Sequence, residues 1–196
     1  MSNLLIVSDN STGEEIFRSW EESNPRFLHI TVINTSKDPG NLVRLSTPSY
    51  FNITNSLVYG YNLTEGLGIT ATYSRFDNPT SGLGNINDKP NFVDFSDGNY
   101  RLSDSSPCIG GGKLNEDVLH TDIEGNLRPN PAGANPDIGA YENPLALPIV
   151  NIPDPNLRAA LEKTLGENEG DAITKEDLAG LEELMYVGTE GGRFLT

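Results

Sequence analysis

Short aliphatic and aromatic runs return at similar intervals through the first half of the chain. Ile6 lies in LLIV, Ile30 in FLHITVIN and Ile53 in YFNITNSLVYG, with spacings of 24 and 23 residues. A further run, LGITATYSRF, puts Ile69 only 16 residues on. Within the runs, polar and apolar residues alternate. Leu28, Ile30 and Val32 are expected on one face and His29, Thr31 and Ile33 on the other; Phe51 and Ile53, then Leu67, Ile69, Ala71 and Tyr73, continue the pattern. Period two with β-branched and aromatic enrichment means strands. A repeat of about two dozen residues is the mark of a solenoid, in which each coil buries its face only against its neighbours. An antiparallel sandwich offers similar strands, so the runs alone leave both open. With Gly 20, Pro 13 and 36% hydrophobic residues, the composition suits a turn-rich, mainly β chain. Glu14 to Glu22, around Ile16, Phe17 and Trp20, reads as a short helix stopped by Asn24-Pro25.

The segment from Gly98 to Glu142 is written in turn chemistry, with short apolar runs between Gly, Pro, Asn and Asp. Asp97-Gly98 and Glu124-Gly125 read as tight turns. Five pieces stand out: Phe92-Val93-Asp94, Asn99-Tyr100-Arg101-Leu102, Ser106-Pro107-Cys108-Ile109, Thr121 to Arg128, and Asp137 to Glu142. Together they resemble the closing segment of secreted right-handed parallel β-helix proteins with a pectate lyase-like fold, in particular choice-of-anchor Q domain proteins. The family pattern there is F-V-D, D-Y-R-L, S-P-C-I-D-A-G, T-D-I-D-G-N-x-R and D-I-G-A-Y-E. This chain departs from it at Gly110 and Gly111, where the pattern has Asp and Ala. The resemblance implies β-helix coils over residues 1–77 and a loop-rich C-terminal cap over 78–143, where Leu83, Ile86, Phe92, Val93 and Phe95 cover the last coil.

Composition shifts after Glu142. Residues 144–151 read as an extended linker. Asp154 then suits a helix N-cap, Pro155 the first helical position, Leu157, Ala160, Leu161 and Leu165 an apolar stripe, and Gly166 the stop. Thr174 to Asp177 is a near capping box, followed by Leu178, Leu181 and Leu184. Residues 152–196 resemble the small α-helical N-terminal cap of a bacterial leucine-rich repeat domain, here truncated.

The net charge of −15 argues against nucleic acid or an anionic bilayer as partner and permits cations. No run approaches the length of a membrane span, and no signal peptide is recognisable at Met1. Because the resemblance implies an extracellular or cell-surface protein, the chain is expected to be a fragment of a longer one, and a monomer. Cys108, the only cysteine, reads as a packed small hydrophobe rather than a nucleophile.

β-Helix lyases cluster Asp with Ca²⁺ and a basic residue, and hydrolases pair carboxylates. Neither constellation is visible, so no catalytic residue is assigned. His29, Arg44 and Arg75 are expected to face outward on separate coils, and His29 reads as a surface strand residue. Two binding hypotheses remain. Tyr50, Tyr59, Tyr61 and Tyr73 offer an aromatic strip for sugar rings, or else packing. Asp94, Asp97, Asp122 and Asp137, in Gly- and Asn-rich turns, offer a Ca²⁺ site, although turns use Asp without any metal. Three functional readings follow: a non-catalytic face binding polysaccharide or a surface protein, the end of a lyase or glycosidase with its catalytic coils elsewhere, or an adhesin stalk.

Overall fold

A computed structural model describes residues 2–9, 15–19, 22–46, 49–63, 68–115, 117–146, 150, 152, 154–167, 173–181, 186–187 and 193–194. The chain divides into two compact units, Met1–Ala146 and Leu147–Thr196. No helix among the described residues is long and apolar enough to cross a membrane.

The first unit is mainly β, and most of its pairing is parallel. Its strands are β1 (Ser2–Ser8), β2 (Phe17–Ser19), β3 (Arg26–Asn34), β4 (Gly40–Asn41), β5 (Val43–Leu45), β6 (Phe51–Thr54), β7 (Leu57–Tyr59), β8 (Tyr61–Asn62), β9 (Ile69–Thr72), β10 (Phe92–Asp94) and β11 (Asn99–Leu102). One sheet runs β1-β3-β6-β9, with β7 also on β3, and every pair in it is parallel. The pairs β2-β5 and β4-β8 are parallel as well. The register repeats. Leu4 lies beside Ile30, Phe17 beside Val43 and Phe27 beside Ile53, each 26 residues on, and Phe51 lies beside Ile69, 18 on. The isoleucines that marked the runs are therefore not one another's neighbours: Ile6 pairs with Val32, and Ile69 with Phe51. The hairpin sandwich left open above is not the arrangement found.

A left-handed residue with a side chain recurs at matching register along the parallel sheet. Asn3 (φ 47°), His29 (φ 50°), Asn55 (φ 50°) and Tyr73 (φ 47°) stack between the paired residues Ser2, Leu28, Thr54 and Thr72 on one side and Leu4, Ile30, Ser56 and Ser74 on the other. The bend resets the alternation of side chains. Phe27, Ile30 and Val32 all enter the inner core, three apart across the corner, while Leu28 turns outward and Ile33 joins a second cluster. This corrects the simple alternation expected across His29. The corner also interrupts the backbone ladder, and serines repair it. Ser56 Oγ accepts from Ile30 N at 3.2 Å and donates to Thr54 O, while Ser74 Oγ accepts from Ser56 N at 3.1 Å and donates to Thr72 O.

The inner core holds Phe27, Ile30, Val32, Leu42, Phe51, Ile53, Val58, Tyr61, Ala71 and Phe76. Phe17 belongs to it, its ring 4.5 Å from that of Phe27. That burial explains why Phe17–Ser19 is a strand on β5 and not the predicted helix; Glu14, Trp20 and Glu21 lie outside the described residues, as does Leu67.

The C-terminal part of this unit does more than cover the last coil. Ile86 does pair beside Arg75, and Leu83 O accepts from Tyr73 N. The residues from about Phe92 onward instead lie against the outer face of the parallel sheet. A second core forms there from Ile33, Leu57, Tyr100, Leu102, Cys108 and Ile138, with Leu5, Tyr59, Phe92, Ile109 and Tyr141 against it. The closing stretch forms a strap across the sheet: Asn3 Nδ2 donates to Thr121 O, Ala140 N to Thr31 Oγ1 at 2.8 Å, and Gly139 N to Asn55 O. Gly139, at φ 116°, passes so close that a Cβ would meet Thr31 Oγ1 at 2.8 Å and Leu57 Cβ at 3.3 Å.

In the second unit, α1 (Pro155–Leu165) is capped by Asp154, which accepts from Asn156 N and Leu157 N, and ends at left-handed Gly166. α2 (Lys175–Ala179) starts with a reciprocal box: Asp177 Oδ2 accepts from Thr174 N at 2.7 Å, and Asp177 N donates to Thr174 Oγ1 at 3.2 Å. Tyr186–Val187 (β12) and Arg193–Phe194 (β13) pair antiparallel. Leu184 and most of the linker lie outside the described residues.

If the outer-face packing supports the first unit, Gly139→Ala should lower its unfolding free energy by at least about 1–3 kcal/mol from backbone strain alone. Thr31→Val, which strands the Ala140 amide, should cost about 1–3 kcal/mol. Urea denaturation of both variants, with unchanged midpoints, would show that the strap is not part of the cooperative unit.

Candidate functional site

Outward rows of the parallel sheet meet Asn115 and Asp117 in a groove of about 220 Å³. Ser2, Leu28 and Thr54 are in register along one row, and Arg26 and Asn52 along the next. Asn115 and Asp117 form the facing wall. Asn55 fixes that wall at its left-handed corner, where its Oδ1 accepts from Lys113 N at 2.9 Å and its Nδ2 donates to Lys113 O at 2.9 Å. Gly112 permits the approach, since a Cβ there would lie 2.6 Å from Pro136 O. Across the groove, Arg26 Nη2 meets Asp117 Oδ2 at 2.6 Å, with the two side chains 70% and 55% exposed. A pair this exposed contributes little stability. Hydroxyls, amides and one ion pair suit a polar, hydroxyl-rich ligand.

The four tyrosines do not form a strip. Tyr61 is buried in the inner core. Tyr59 packs in the outer core against Phe92 and Phe95, with the Arg75 guanidinium over its ring at 5.3 Å. Tyr73 stands at a corner with Lys113 Nζ 5.9 Å from its ring centre, and Tyr50 is exposed. Burial of apolar rings claimed two of the four, Tyr59 and Tyr61.

The four aspartates fall into two groups, Asp94 with Asp97 in one turn and Asp122 with Asp137 around Glu142. Asp94 Oδ1 accepts from Ser96 Oγ and Asp97 N in the β10–β11 turn, and the Ser96 hydroxyl leads in holding its carboxyl below the usual range. Asp122 Oδ1 accepts from Glu124 N and Asn126 N, and its Oδ2 from Glu142 N. Asp137 Oδ1 accepts from Gly110 N at 2.7 Å and its Oδ2 from Asn143 N at 2.6 Å. The carboxyl groups of Asp94, Asp122 and Asp137 are occupied by backbone amides, and no group of three or more His, Cys, Asp or Glu among the described residues is arranged to hold a metal ion.

Asp122 and Asp137 belong to a buried clamp that holds the strap. Arg128 Nε pairs with Glu142 Oε2 at 2.8 Å, both side chains fully buried. The other guanidinium nitrogens donate to Asn3 Oδ1 and Gly139 O. Burial, and then the neighbouring Glu142 carboxylate, pushes Asp137 up to about 8. Burial raises Glu142 too.

His29 is no surface residue. It is 0% exposed beneath the strap, its Nε2 3.1 Å from Asn55 Nδ2. Burial, helped by the Arg128 charge, pushes its pKa down to about 3, so the ring is neutral near pH 7. Arg75 is also covered, its Nη1 donating to Val58 O and Asp77 Oδ1. Arg44 is exposed and pairs with Glu15. Cys108 is fully buried, and burial raises its thiol to about 12, so it is no nucleophile.

Sequence reasoning missed Asn55, Arg26, Asn115 and Asp117. The available signal was a polar residue ahead of an aliphatic run, N-L-L-I-V, H-I-T-V-I, N-S-L-V-Y, recurring at 26 residues. The chain matches no family model, no curated protein and no solved structure.

Two buried groups set the pH dependence of stability. The unfolded chain protonates His29 near 6.5, so that contribution is full above 6.5 and lost as pH falls toward 3. The unfolded chain ionises Asp137 near 3.8, so that contribution is full below 3.8 and lost as pH rises toward 8. The slopes oppose between 3.8 and 6.5; above 6.5 His29's has ended and Asp137's remains, with the raised Glu142 acting in the same direction. The thermal midpoint should therefore fall from pH 6.5 to 8, and Asp137→Asn should flatten that limb. A midpoint that rises over this interval contradicts the clamp.

Proposed function

We propose that the first unit is the end of a right-handed parallel β-helix from an exported, cell-surface bacterial protein, and that it binds polysaccharide without cleaving it. Parallel pairing at offsets of 26, 26 and then 18 supports the coiled reading, and parallel crossover connections are nearly always right-handed. The helix caps at Asp154 and Thr174 support reading the second unit as the start of a leucine-rich repeat domain.

The groove carries the binding reading. Its floor sets Ser2, Thr54, Asn52 and Arg26 around the apolar Leu28, a mixed surface that suits a sugar ring's hydroxyls and its apolar face, and its wall adds Asn115 and Asp117. Among its described lining residues the single carboxylate is Asp117, already paired with Arg26. Glycoside hydrolysis in its usual form needs two carboxylates flanking the bond, which favours binding over cleavage.

Glycan-array screening of the full chain, followed by calorimetry on a hit, tests this. Asn52→Ala and Arg26→Ala should each weaken binding at least about tenfold, the loss of one or two ligand hydrogen bonds, with no new reducing ends or unsaturated sugars released. Silence toward every glycan, or release of cleaved product, would contradict it.

A further inference from the structure

The charges of the groove cancel. Arg26 and Asp117 are the two charged residues among its described lining, and their side chains meet at 2.6 Å. The fold places both. Arg26 opens β3, one position before Phe27 of the inner core. On the wall, Asn115 Oδ1 accepts from Asp117 N at 2.9 Å and Asn115 O accepts from Val118 N, so the chain turns at Asp117. Two residues before Asn115, both backbone groups of Lys113 are bonded to the Asn55 side chain. The hydrogen-bonding groups add a second constraint. Asn52 Nδ2 already donates to Asn24 Oδ1 at 2.5 Å. Asn52 Oδ1 and the Asp117 carboxylate are acceptors. A sugar hydroxyl can donate to them, whereas an ionised carboxylate or sulfate cannot. Leu28 adds an apolar patch, which suits the C–H face of an uncharged ring and penalises a charge set against it.

We propose that the groove selects uncharged sugars and rejects acidic ones, and that Asp117 is the residue that sets this selectivity. The proposal rests on the glycan-binding reading of the groove and names the class of glycan. A uronic or sulfated sugar that paired with Arg26 would have to displace Asp117, and two anions would then share one guanidinium in a chain of net charge −15. Rejection does not need a strong Arg26–Asp117 pair. It needs a carboxylate fixed beside the ligand, because like charges brought together at an interface carry a cost that matched surfaces avoid. A neutral sugar meets no such cost. Its hydroxyls donate to Asp117 and Asn52 Oδ1, and accept from the Arg26 guanidinium, which has five N–H donors, while Asp117 stays in place.

A glycan array carrying neutral, uronic and sulfated members, probed with the full chain at about 10 mM salt, where charges are screened least, tests the proposal. The glycans bound should be neutral. Asp117→Asn keeps the shape of an exposed side chain and removes its charge, so the thermal midpoint should stay and acidic glycans should gain at least about tenfold in affinity by calorimetry, the scale on which a misplaced interfacial charge acts. That gain should shrink toward about 1 M salt. Asp97→Asn, in the β10–β11 turn outside the groove, makes the same change in net charge and should give no gain. Acidic glycans bound by the unaltered chain as tightly as neutral ones overturn the proposal and leave glycan binding standing. No gain in Asp117→Asn, or an equal gain in Asp97→Asn, overturns the role of Asp117. An array silent toward every member removes the glycan reading and this proposal with it.

Discussion

The fold depends on one repeated backbone event, a left-handed residue recurring at matching register along the parallel sheet. A side-chain-bearing residue in that conformation is costly and is kept only where its surroundings hold it. Asn55 shows how. Its backbone N–H donates to Thr72 O and its carbonyl accepts from Gly139 N, while its side chain closes a two-way bond with Lys113. The corner resets which side of the strand is inside. That single reset gives one continuous run of residues two cores, an inner one through Ile30 and Val32 and an outer one through Ile33.

The outer core accounts for the strap. A parallel sheet whose outward face carries Leu5, Ile33, Leu57 and Tyr59 cannot be left in water, and the turn-rich segment closes over it. Such a segment lacks regular pairing of its own, so its polar groups need other partners. The buried Arg128–Glu142 pair and the amide-bonded carboxylates of Asp122 and Asp137 supply them. A buried ion pair of this kind adds little net stability but strongly penalises loss of one member. The acidic, glycine-rich motifs are therefore read best as fastening for the strap, while the wall of the groove is fixed separately by Asn55.

Strand content, the tight turns at Gly98 and Gly125 and both helix caps of the second unit were legible in the sequence, because each is local chemistry. The register was not. Marking coils by isoleucine put Ile6 with Ile30, since β-branched residues suit either face and carry no signal for the corner between them. The placement of His29 and Tyr61 failed for a related reason: each sits in an alternating run, but one is covered by residues more than a hundred positions away and the other packs inside the coils. The expected helix at Glu14–Glu22 had helical spacing, and strand pairing at Phe17–Ser19 overrode it.

Hydrogen exchange resolved at single amides tests the central claim most directly. Strap and sheet form one cooperative structure on this account, so the amides of Gly139 and Ala140, which donate to Asn55 and Thr31, should exchange through the same global opening as those of Thr31 to Ile33 in β3. Strap amides that exchange orders of magnitude faster while β3 stays protected would mean that the strap merely rests on the sheet, and the account would fail.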